Sequence, residues 1–210
     1  VPRFVDAAAR RRDVVEAVKR IVVADGLERV SLREVAAEAG LVVGSVRHYF
    51  ATSTDLLVQS FEAVVDTVLE RLEDASPGAD DGAGSPPGAS RGGLEDAVVA
   101  QLCQLLPLDK PRAVDLCVWT AFKLAARTRP ELSTTAERSH RAVAAAVGRS
   151  VLALRPGAGR EELVREAERL LAVVEGLGLH AMLQGQWLDA GLCLAVLRAQ
   201  VASVGAAVPT

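Results

Sequence analysis

Apolar residues recur along this chain at the three- and four-residue spacings of helices, and nowhere do they alternate over several residues as a strand requires. The pattern predicts an all-α fold. Val14, Val18, Ile21 and Val22 form one stripe, which predicts a helix over residues 6–25 with Gly26 as its stop. A second helix is expected after Ser31, whose hydroxyl can accept from the Glu34 amide while the Glu34 carboxylate reaches back to the Ser31 amide, a capping box. Leu32, Val35, Ala36 and Ala39 give it an apolar face of two turns, and Gly40 can take the left-handed conformation that ends it. After the turn Leu41-Val42-Val43, a helix of under two turns presents Val46 and Phe50, four apart, to the core and leaves Ser45, Arg47 and His48 outward. Thr52 and Asp55 form a second capping box, opening a long helix with Leu57, Phe61, Val64, Val68 and Leu72 on one face.

Residues 75–93 (ASPGADDGAGSPPGASRGG) interrupt the pattern with proline, glycine and almost nothing to bury, so a mobile linker is expected there. Helices follow at about 94–106, 110–126, 130–154, 161–184 and 190–207, separated by proline or glycine breaks. This divides the chain into a helix-turn-helix domain (1–52), a connecting helix (53–74), the linker and a helical body (94–210). The last two helices are apolar on more than one side, which one core face cannot use. A partner copy can use the second side, and Leu170, Val174, Leu177, His180, Ala181, Leu194, Leu197 and Val201 are the expected homodimer contacts, with Gly176 and Gly178 permitting close helix approach.

Composition narrows the function classes. No apolar run spans a bilayer and no export signal opens the chain, so a cytoplasmic location is expected. The three cysteines, Cys103, Cys117 and Cys193, are widely spaced among apolar residues, which predicts reduced thiols and no disulfide framework or zinc site. The net charge of -3 hides an asymmetry: residues 1–50 sum to +2 and the remainder to -5. Arg10, Arg11 and Arg12 start the first helix, where cations are unfavourable, an arrangement easier to understand with phosphates nearby. An enzyme would need a nucleophile with its base, a carboxylate pair in a cleft, metal ligands at helical spacing or a glycine-rich phosphate loop, and none is found. Glu161 and Glu162 are ordinary first-turn acids. No cofactor and no metal are expected. A helical interaction module would explain the last helices but not the two short helices near the start.

Those short helices, joined by a glycine-led turn and braced by longer ones, have the form that places a recognition helix in a major groove. The segment GLERVSLREVAAEAGLVVGSVRHYFATSTDLL, residues 26–57, resembles the DNA-binding domain of the TetR family of bacterial regulators. The resemblance implies a homodimer, commonly a repressor of a palindromic operator released by a small-molecule effector. It maps residues 32–39 onto the family's second helix and 44–49 onto its recognition helix, with Phe50 as core anchor. The implied DNA-binding residues are Arg10, Arg11, Arg12, Ser31, Arg33, Gly44, Ser45, Arg47, His48, Tyr49, Thr52 and Ser53. Arg47 is the candidate for bidentate contact with a guanine edge. Ser53 stands where many members carry a lysine, so helix amides and the Thr52 or Ser53 hydroxyls must replace that phosphate contact.

The segments LLPLDKPRAVDLCVWTAFKLAARTRPEL and LLAVVEGLGLHAMLQG are similar to the C-terminal body of the subgroup that includes choline- and pyrimidine-responsive regulators. In that body Cys103, Cys117, Trp119 and Phe122 would line an effector cavity, with His140 and His180 adding polar contacts. Each residue taken singly also fits ordinary packing. With two Trp, one Tyr and four Phe, an aromatic cage for a quaternary ammonium is poorly supplied, which disfavours choline.

Overall fold

The computed structural model of the protein describes residues 7–77 and 91–206. Nine α-helices account for most of them, and no strand occurs among the described residues: α1 (Ala7–Asp25), α2 (Leu32–Glu38), α3 (Val43–Tyr49), α4 (Ser53–Asp74), α5 (Arg91–Leu102), α6 (Lys110–Ala125), α7 (Ser133–Leu154), α8 (Arg160–Leu183) and α9 (Ala190–Ala206). Short 3-10 turns sit before α2, after α5 and before α7. The expected linker falls largely on residues 78–90, outside the described residues. Its last three expected residues are instead the start of α5. Arg91 pairs with Glu95 one turn on, and a Cβ added at Gly205 of α9 would meet the Arg91 Nη2 at 2.9 Å, so tertiary contact extends this helix backwards.

Two compact units emerge from the packing, one of residues up to Asp66 with Cys117–Arg138, the other of Thr67–Leu116 with the residues from Ser139 onward. In the first, the stripe Val14, Val18, Ile21 and Val22 of α1 is buried with Leu32, Val35 and Ala36 of α2, Val46 of α3 and Phe50 after it. Removing these apolar surfaces from water is the main drive for assembling helices too short to persist alone. Phe61 of α4 and Phe122 of α6 stack with centroids 4.9 Å apart and planes 7° from parallel. Glu28 accepts two bonds from Arg129 Nη2, at 2.8 and 2.7 Å, tying the turn before α2 to the turn before α7.

In the second unit, α8 and α9 pack on each other and α9 packs on α5. Leu170, Val174, Leu197 and Val201 are fully or almost fully buried here. The buried Gln101 donates from Nε2 to the Leu72 carbonyl at 3.1 Å and accepts from the Ser150 hydroxyl at 2.7 Å, which leaves this polar side chain satisfied inside an apolar core. Arg71 and Asp115 pair at 2.5 Å, and Arg155 pairs with Glu162 across the turn from α7 to α8.

Candidate nucleic-acid interface

Local chemistry builds the α1–α4 region residue by residue. Gly26 adopts φ +84° and Gly40 φ +65°, the left-handed conformations that end α1 and α2 without Cβ strain. The Glu34 amide donates to Ser31 Oγ at 3.2 Å, one half of the expected capping box. The Glu34 carboxylate lies 3.9 Å from Arg29 instead of reaching back. At Thr52 the box closes both ways: the Asp55 amide donates to Thr52 Oγ1 at 3.0 Å and the Thr52 amide to Asp55 Oδ2 at 3.2 Å. Arg20 pairs with Glu38 at 2.5 Å, clamping α1 to α2.

Burying Val46 and Phe50 fixes the rotation of α3, so its remaining side chains take the opposite face. Gly44, Arg47 and His48 are exposed, Ser45 and Tyr49 half-buried. The His48 and Tyr49 rings meet edge to face at 5.1 Å. A Cβ at Gly44 would meet nothing within 4 Å, so open space lies over this turn. Arg33 of α2, Thr52, Ser53, Arg11 and Arg12 are also exposed. Arg10 is half-buried and lies 3.5 Å from Asp13. Among the described residues Arg11, Arg33 and Arg47 make no ion pair, which leaves their guanidinium groups available to an anion. Ser31 and Thr52 spend a lone pair on capping but keep a hydroxyl proton to donate.

Two further residues on this surface carry no role predicted from the sequence. Val42 is the N-cap of α3 and makes no side-chain capping bond, and it is 72% exposed; Val43, expected in the turn, already belongs to the helix and is 36% exposed. The available signal was the break in chemistry: Ser31 and Thr52 cap their helices with hydroxyls, and a valine holds the equivalent place before α3.

The residues expected to line an effector cavity are described within their own units. Cys103 lies in the second unit and Cys117, Trp119 and Phe122 in the first. Phe122 is stacked on Phe61, and Trp119 is buried with the Lys123 ammonium 5.0 Å from its ring centroid. His140 and His180 are exposed in the single chain: the phase of α7 buries Val143 and Val147, and that of α8 buries Leu177 and Gly178. Burial raises the pKa of all three thiols, at Cys103 against the opposing charges of Arg112 and Arg198 and at Cys193 with a further push from Cys103.

The expected dimer contacts divide by their exposure in the single chain. Leu170, Val174, Leu177, Leu197 and Val201 are buried within the chain's own core, because α8 and α9 use one apolar side on each other and on their neighbours. Ala181 and Leu194 are half-buried and His180 is exposed. Gly178 serves close approach inside the chain, where a Cβ would meet Leu116 Cδ2 at 3.1 Å, while Gly176 is exposed. The side left open carries Val164, Leu179 and Leu183 of α8, with Glu168 and Glu175 between them, and Leu192, Val196 and Ala199 of α9.

Residues 94–206 match the sequence model of a family described as BetI-type transcriptional repressor, C-terminal. The chain is 32% identical over 191 residues to the HTH-type transcriptional regulator PksA of Bacillus subtilis (strain 168), covering 87% of this chain and 83% of that protein. Among solved structures, a transcriptional regulator from Rhodococcus sp. Rha1 superposes with a TM-score of 0.77 at 27% identity, over 95% of this chain and 99% of that one. The multidrug binding protein EbrR, complexed with ethidium, superposes with a TM-score of 0.60 at 26% identity, over 91% of this chain and 98% of its own.

Proposed function

The chain belongs to the TetR family of transcriptional regulators, with a BetI-type C-terminal body, and from that premise we propose that it represses transcription as a homodimer which leaves its operator on binding a small molecule. It is a DNA-binding regulator and not an enzyme. The observation that carries the operator reading is the exposed face of α3, where Arg47 makes no ion pair among the described residues and Gly44 leaves open space for a close approach. In the proposed complex α3 lies in the major groove, Arg47 and Ser45 face base edges, and Tyr49, Arg33, Arg11, Arg12, Thr52 and Ser53 contact phosphates. Arg10 adds charge at the rim.

Two copies are required because one seven-residue recognition helix spans few base pairs, and a two-fold dimer matches a near-palindromic site with one helix per half. The exposed apolar residues of α8 and α9 support this pairing. The multidrug binding protein EbrR, of the same fold, is complexed with ethidium, and a small apolar or aromatic compound is the proposed effector class for this chain. The protein then acts in the cytoplasm, on DNA there. The deciding experiment captures fragments of the source genome on the purified protein and sequences them. Enrichment of a near-palindromic site is expected; uniform retention of all sequences would overturn the operator reading.

A further inference from the structure

Val42 combines two unfavourable features in one residue. It occupies an N-cap where a serine or threonine would satisfy a helix amide, and it holds a branched apolar side chain 72% in solvent. Val43 beside it adds a second exposed branched side chain, and Arg47 follows one turn later on the same exposed face. Val42 is the more open of the two, and Val43 is about one-third exposed. Their exposed neighbours Gly44, Arg47 and His48 belong to the helix placed above in the major groove.

The major groove offers one apolar group to such a surface, the C5 methyl of thymine. We infer that Val42 and Val43 form an apolar patch that reads a thymine methyl in each operator half-site, next to the base read by Arg47. The inference rests on the reading of α3 as the recognition helix and adds a specificity that no cationic contact supplies. Four residues of helix rise about 6 Å, and bases along one strand are about 3.4 Å apart. The thymine therefore lies within about two base pairs of the Arg47 contact. A hydroxyl-bearing cap would favour a phosphate oxygen instead, so a valine there exchanges backbone affinity for base discrimination.

The test uses the full chain and the operator recovered from random DNA by repeated selection. Each thymine is replaced in turn by deoxyuridine, which lacks only the methyl group. Wild-type protein should lose about fourfold in affinity per half-site at one thymine position, the effect of withdrawing about one methyl from an apolar contact. In Val42→Ala or Val43→Ala the same replacement should have no further effect. A guanine substitution whose discrimination disappears in Arg47→Ala should map within two base pairs of that thymine. Affinity insensitive to every deoxyuridine replacement, or equal sensitivity in wild type and both valine variants, overturns the inference and leaves the operator reading standing. Failure to recover any preferred DNA sinks both.

Discussion

Arg47 and Arg11 carry the same charge from different places, and that difference separates two kinds of DNA contact. Arg47→Ala should cost about 1–3 kcal/mol on the cognate operator and relax preference at one position per half-site. Arg11→Ala should weaken cognate and scrambled DNA alike and lower the salt slope by about one unit for each phosphate it no longer neutralises. Titrations of both variants against both DNAs over a range of salt decide it; equal losses on the two DNAs for Arg47→Ala would remove it from the base-reading role. The thiols make a second forecast at this scale. Burial raises their pKa, so the folded state favours the neutral form: their contribution to stability is present below the ordinary value of 9.0 and is lost as pH rises from there through the raised values. Alkylation of Cys103 and Cys193 in the native protein near pH 7 should be slow and should accelerate on unfolding. Rapid labelling of both without loss of structure would contradict their burial.

At the scale of elements, the caps make the sharpest predictions. Thr52→Ala removes one half of a closed capping box and should cost about 1 kcal/mol of stability, read from the denaturation midpoint. Val42→Ser supplies a cap that α3 lacks and should stabilise by about the same amount while weakening operator binding. Loss of stability in Val42→Ser would show that the valine packs in the native state. Most helix boundaries were legible because capping residues and glycines act over three or four positions. The start of α5 was not, since Arg91-Gly92-Gly93 has poor helix propensity and is held helical by an ion pair and by the contact with Gly205 of α9. The half-formed box at Ser31 had a comparable cause, because the sequence spacing identifies Glu34 as a partner without showing that Arg29 competes for it.

At the scale of the whole molecule, the proposed pairing of two chains assigns opposite fates to neighbouring residues of α9. Ala199→Arg lies on the open side and should yield a folded monomer by sedimentation with unchanged helical circular dichroism. Leu197→Asp lies in the chain's own core and should unfold the body, because an unpaired buried carboxylate has no compensating partner. A dimer that survives Ala199→Arg and Val196→Arg together would move the interface elsewhere.

The residue order by itself determined the all-α class, the two short helices with their glycine stops, the burial of Val46 and Phe50 and hence the outward turn of Arg47, since each follows from a spacing of three or four and from chemistry within one or two turns. Only the tertiary structure decided which apolar side of α8 and α9 remains open. A helix apolar on both sides looks alike from either side in sequence, and the choice is made by the packing of α5 on α9 and of α8 on α9. The same holds for Trp119 and Phe122, where apolar spacing predicts burial, while Phe61 and Lys123 as partners became visible only once the helices were brought together.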